Sequence, residues 1–131
     1  MIVGVANNAA GTGSNINYIG KHAYVYSGIV GVNNSETTLL DFTTGAGLYI
    51  DAKIQLMNAT SSNEDFKYTI KANEEIIFEY KFTQTTGNSY LSDLPLLMIL
   101  APQTRIQVLA INETSGTPRD HTANITGRVY D

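Results

Sequence analysis

The sequence predicts an all-β protein, an antiparallel β-sandwich of about eight strands, and three observations predict it. Apolar residues recur at every second position in several short runs. β-Branched and aromatic residues are concentrated in those runs, and polar or glycine-containing turns separate them every ten residues or so. No window of eleven or more residues keeps the apolar stripe of a helix.

In chain order, residues 6–20 (ANNAAGTGSNINYIG) are small, polar and glycine-rich, the composition of an extended arm. The expected division is therefore an N-terminal arm, 1–20, and a β-sandwich domain, 21–131. AYVYSGIVGV is the first strand-like run, followed by polar NNSE, then TTLLDF and the glycine turn TTGAG. LYIDAKIQLM alternates, with Ile50, Ala52, Ile54 and Leu56 on one face and Asp51, Lys53 and Gln55 opposite. After the loop ATSSNED, FKYTIK places Phe66, Tyr68 and Ile70 together. IIFEYKF does the same with Ile76, Phe78, Tyr80 and Phe82, across a gap short enough for a hairpin. ANEE has room for one helical turn and no more. The final strands are LPLLMILA, TRIQVLAIN after a turn at Pro102, and TANITGRVY after the loop ETSGTPRDH.

Three runs break the alternation expected of a sheet with one wet face. LLMILA is apolar on both faces. TRIQVLAIN sets Leu109 and Ile111 opposite Ile106, Val108 and Ala110, and AYVYSGIVGV sets Val25 and Ile29 opposite Tyr24, Tyr26, Val30 and Val32. Two kinds of cover remain open: a local element of the same chain, or another subunit in a closed ring of identical copies.

Composition narrows the function classes. The chain has 131 residues, enough for one domain that buries roughly two-thirds of its unfolded surface. Charged residues make up 15 % against the usual ~25 %, and the net charge is −4. Eight basic residues spread along the chain form no patch for neutralising phosphates, so no nucleic-acid partner is expected. The absence of cysteine removes disulfides, thiolate catalysis and thiolate metal ligands. MIVGVANNAAGTGSN lacks the basic start and long apolar stretch of a secretory signal, and no run reaches the ~18 apolar residues of a membrane helix. Synthesis in a cytoplasm, with no membrane partner, is the expectation.

Catalytic and ligand motifs are absent from the sequence. His22 and His121 are the two histidines, without a carboxylate at ligand spacing, and both read as ordinary surface residues; no metal or other cofactor is expected. Asn63-Glu64-Asp65 lacks the spacing and glycine of a calcium loop and reads as a solvated turn. Gly11-Thr12-Gly13-Ser14 lacks the strand and helix that flank a phosphate cradle. There is no G-x-S-x-G, and nothing aligns two carboxylates for acid–base work, so no enzyme is expected. Asn-x-Ser/Thr occurs at Asn33, Asn58, Asn112 and Asn124, a number not far above chance in a chain so rich in these residues. Eight tyrosines keep a sugar-binding reading open, but there is no tryptophan. Tyr24, Tyr26, Tyr68 and Tyr80 fall inside strands, where packing is the default role.

The last third, from about residue 94, carries an apolar strand, the turn APQTR, the strand TRIQVLAIN, the loop ETSGTPRDH and the closing ITGRVYD. This layout resembles the C-termini of small jelly-roll virion proteins of tailed bacteriophages, the capsid decoration (cement) and head-fibre-like proteins. The resemblance implies a double-sheet jelly roll without catalytic residues. It also implies a homotrimer on the outer surface of an icosahedral head, with the major capsid protein as partner. Under it, Leu97, Ile99, Leu109 and Ile111 supply the seam between subunits, and the arm, through Ile2, Val3, Val5, Tyr18 and Ile19, touches the shell. The alternative is a receptor-binding, adhesion or carbohydrate-binding β-sandwich domain.

Overall fold

The computed structural model describes residues 16–58, 64–83, 90–91 and 96–131. They form eleven strands: β1 (Asn17–Ile19), β2 (His22–Tyr26), β3 (Val30–Val32), β4 (Thr37–Thr43), β5 (Tyr49–Asn58), β6 (Asp65–Ala72), β7 (Glu75–Thr83), β8 (Tyr90–Leu91), β9 (Leu96–Leu100), β10 (Arg105–Asn112) and β11 (Arg119–Tyr130). Eight of them have five residues or more, the number the alternation predicts, and no helix occurs among the described residues.

The path is a single ribbon folded in half and rolled up. Its bend is the β6–β7 hairpin, where Ala72 pairs with Glu75 and the two turn residues, Asn73 and Glu74, have φ of 48° and 72°. Positive φ at both positions is the twist-matched two-residue turn, so ANEE makes a hairpin rather than a helical turn. Working outward from the bend, β5 pairs with β8 and β9, β4 with β10, and β2 and β3 with β11, all antiparallel. Rolling the ribbon then brings β11 against β5 and β10 against β6. The result is a seven-stranded sheet centred on β2-β11-β5-β9 and a four-stranded sheet β4-β10-β6-β7. That strand order is the double-sheet jelly roll.

Between the sheets lies one apolar core. The inward residues of β5 (Ile50, Ala52, Ile54, Leu56) meet Tyr68 and Ile70 of β6, Leu40 and Phe42 of β4, and Ile106 and Val108 of β10. Each of these is at most 3 % exposed, and burying one such aliphatic or aromatic side chain contributes about 1.5–3 kcal/mol.

In three places the fold departs from the sequence pattern. The expected boundary at 20/21 falls on the β1–β2 turn, at Gly20 with φ 60°, so residues 17–19 are a strand of the sandwich rather than arm. Tyr18 is 7 % exposed there, and its hydroxyl accepts a hydrogen bond from the Gly45 amide at 2.9 Å. AYVYSGIVGV splits into β2 and β3 at Ser27-Gly28, where Gly28 has φ 73° and Ser27 bonds to Ala123 through both its amide and its hydroxyl. That kink changes the phase of the alternation. Third, a register shift between Ile70 and Lys71 opposes Ile76 to Lys71, so Ile76 leaves the face it was expected to share and is 56 % exposed. Phe78 and Tyr80 remain inward against the core.

Candidate interaction surface

The two sheets present unlike outer faces to solvent. On the four-stranded sheet three of the four strand-borne basic side chains, all but Lys71, are paired with carboxylates. Lys67 lies 3.8 Å from Glu79 and Lys81 3.1 Å from Glu113, and Arg105 donates to both carboxylate oxygens of Asp41 at 2.9 and 2.8 Å. The Arg105 guanidinium thereby holds Asp41 below its ordinary carboxylate range. Such exposed pairs keep a face soluble and contribute little binding energy.

Tyrosines and aliphatic residues instead populate the outer face of the seven-stranded sheet. The register builds it in rows. One row runs Ile19, His22, Arg128, Asp51, Ile99 across β1, β2, β11, β5 and β9. The next runs Asn17, Tyr24, Thr126, Lys53, Leu97, and a third Tyr26, Asn124, Gln55. Apolar side chains therefore stand at both margins, Ile19 at one and Leu97 and Ile99 at the other, with charged and hydroxyl groups between them. Tyr24, Tyr26, Tyr49 and Tyr130 are all at least 40 % exposed, so Tyr24 and Tyr26 do not have the packing role expected of strand tyrosines.

The expected seam residues do not share one surface. Leu97 and Ile99 are 72 % and 65 % exposed on the marginal strand β9. Leu109 is 5 % exposed on β10 in the other sheet and Ile111 beside it is half-buried, so Leu109 is covered within the subunit. Of the expected arm residues, Tyr18 is core and Ile19 is 67 % exposed, while Ile2, Val3 and Val5 lie outside the described residues.

At one end of the sandwich a polar cluster replaces the expected surface histidine and solvated turn. His121 is fully buried, because it shares the inward parity of Ala123 and Ile125 on β11. Its Nδ1 lies 2.6 Å from the Tyr68 hydroxyl and its ring packs at 4.7 Å on Phe66. Burial pushes the imidazole down to about 4 and the Tyr68 phenol well above its ordinary value. Glu64, 8 % exposed, accepts from Arg119 at 2.9 Å on each oxygen and from Asn112 Nδ2 at 2.8 Å. Asn112 in turn accepts the amides of Thr114 and Ser115, shaping the β10–β11 loop and closing off that Asn-x-Thr as an acceptor. Period-2 parity along β11 was the signal for His121; the Glu64–Arg119 pair, 55 residues apart, left none. No group of three or more metal-ligating side chains occurs among the described residues.

No protein-family model matches the chain, and no curated protein matches it. Among solved structures it is similar to a chain in the structure of infectious bursal disease virus, Gx strain, at 15 % identity and a TM-score of 0.49. The match covers 77 % of this chain and 29 % of that one. At that score the likeness bears on neither fold nor function, and the jelly roll rests on the strand order alone.

Proposed function

We propose that this chain is a non-enzymatic structural component of a virion: a decoration (cement) protein that sits as a homotrimer on the outer surface of an icosahedral phage head. The observation that carries self-association is the marginal strand β9, whose Leu97 and Ile99 stand 72 % and 65 % exposed in a single subunit. Two large aliphatics side by side on an edge strand are a liability in a monomer and a natural seam in a ring. The virion assignment draws on the layout of residues 94–131, whose implied jelly roll matches the strand order. Fold class alone does not specify function.

Binding only the assembled head would stabilise it by mass action, and three linked contacts would multiply the effect through effective concentration. The segment proposed to reach the major capsid protein is residues 1–15, which precede the sandwich and include Ile2, Val3 and Val5. Synthesis in a host cytoplasm and residence on the capsid surface follow from the same reading. The alternative, an adhesion or carbohydrate-binding domain, has its own observation in a groove of the seven-stranded sheet.

Light scattering after gel filtration tests the assembly: a mass near three times 14.2 kDa is expected, falling to one chain in the double variant Leu97→Asp, Ile99→Asp. A monomeric parent protein would sink the trimer. Co-sedimentation with heads of the virus that encodes the chain tests the partner. Binding should disappear on deletion of residues 1–15, and no binding by the full chain would overturn the decoration role.

A further inference from the structure

Between Tyr24 and Leu97, the outer face of the seven-stranded sheet dips into an open groove of about 600 Å³, within the size range of small-ligand sites. We infer that this groove binds an acidic saccharide, a sugar residue bearing a carboxylate. Four kinds of chemistry converge there, and this ligand class uses all four.

The first is uncompensated positive charge. Four of the eight basic side chains, Lys67, Lys81, Arg105 and Arg119, have acidic partners. Among the described residues no carboxylate oxygen lies within 4.0 Å of the nitrogens of the other four, and of these Lys53 and Arg128 line the groove while Lys21 and Lys71 do not. Lys53 and Arg128 are diagonal neighbours on β5 and β11, since Arg128 pairs with Asp51 and Thr126 with Lys53. Diagonal spacing of about 7–8 Å lets two long side chains close on one anion. The Arg128 guanidinium lies 5.6 Å from the exposed Tyr130 ring, a contact that leaves its N–H groups available to a carboxylate.

Asp51 is the second element. It faces Arg128 across the strands yet makes no ion pair with it, and it lines the groove. Asp51 leaves Lys53 and Arg128 room for one carboxylate rather than several, which disfavours a polyacidic peptide, and the hydroxyls of a sugar can donate to it. Thr126 adds a hydroxyl beside it. Third, the exposed ring of Tyr24, stacked at 6.5 Å on His22, offers an apolar face for a pyranose ring. Leu97 supplies the fourth, an aliphatic wall opposite Tyr24.

The sugar-facing groups stand on β2, β11 and β5, inboard of the β9 margin proposed for self-association, and the two surfaces meet only at Leu97. The inference does not depend on the virion reading.

Amide-resolved NMR titration of the full chain tests it, with trigalacturonic acid and 3′-sialyllactose as acidic probes and galactotriose and lactose as their neutral counterparts. Saturable shifts at Tyr24, Lys53, Thr126 and Arg128 are expected with at least one acidic probe, and binding of its neutral counterpart about tenfold weaker. Arg128→Gln should abolish that preference, and Asp51→Asn should weaken acidic and neutral sugars alike. Both positions are at the surface, so unchanged shifts elsewhere confirm the fold. Any of three results overturns the inference: no shift at these amides at millimolar probe, equal binding of neutral sugars, or equal binding of a hexaglutamate peptide, which would leave only a cationic surface.

Discussion

The Tyr68 hydroxyl and His121 Nδ1 meet at 2.6 Å across the core, joining the two sheets through a polar contact sealed from solvent. Among the described residues His121 Nε2 has no hydrogen-bond partner, and protonating the ring would place a charge in a site closed to water. This is why the imidazole is held down to about 4, against 6.5 for a free histidine.

Acid lability follows from that shift. The unfolded chain takes up this proton near pH 6.5 and the folded chain only near 4, so the stabilisation is complete above pH 6.5 and is lost as pH falls between the two. The loss attributable to this group is about 3 kcal/mol. Denaturant unfolding at pH 7.0 and 4.5 measures it, and the double variant Tyr68→Phe, His121→Phe should show a smaller difference between the two.

Glu64 neutralises Arg119 and satisfies the Asn112 amide in a nearly closed site. Glu64→Ala leaves both without their acceptor and should destabilise the protein by about 2 kcal/mol. Arg105→Ala, at an exposed pair, should shift the urea midpoint far less.

At Gly127 the strands β11 and β5 approach so closely that a Cβ would stand 2.6 Å from the Asp51 carbonyl oxygen and 2.6 Å from Ile50 Cγ2. The backbone oxygen cannot move aside as a side-chain tip would. Gly127→Ala should therefore cost about 2 kcal/mol by denaturant titration, although alanine suits a strand no worse than glycine.

Two isoleucines of the β6–β7 hairpin separate the bulged register from a regular one. Ile76→Thr should change stability by less than about 0.5 kcal/mol, because the side chain is already 56 % exposed. Ile70→Ala, in the core, should cost about 2–5 kcal/mol. A large loss at Ile76 would mean that it packs inward and the register shift is wrong.

Period-2 alternation was legible wherever a strand runs straight. Ile50, Ala52, Ile54 and Leu56 were readable as core because β5 carries no bulge across them, and Phe66, Tyr68 and Ile70 likewise. It failed where one residue is inserted or one glycine turns the chain. Ile76 changed face at a bulge, and AYVYSGIVGV changed phase at Gly28. Chemical type misled at His121, whose Nδ1 meets the Tyr68 hydroxyl of the facing sheet, and glycine-rich composition misled at Tyr18, whose hydroxyl accepts the Gly45 amide of the β4–β5 loop. The groove was invisible in the sequence, because Tyr24, Lys53, Leu97 and Arg128 become neighbours only through the pairing of four strands.

The central place of β11 between β2 and β5 has a kinetic meaning. The segment that fills the middle of the larger sheet is synthesised after both strands it joins, and its partner Tyr24 precedes Thr126 by about a hundred residues. Until it arrives, a nascent chain carries two open edges facing a gap, the state most exposed to pairing with a neighbouring copy. The hairpin at Asn73-Glu74 can close early, but the larger sheet must wait for the ribosome to deliver its keystone, so slow folding dominated by distant pairings is built into the topology.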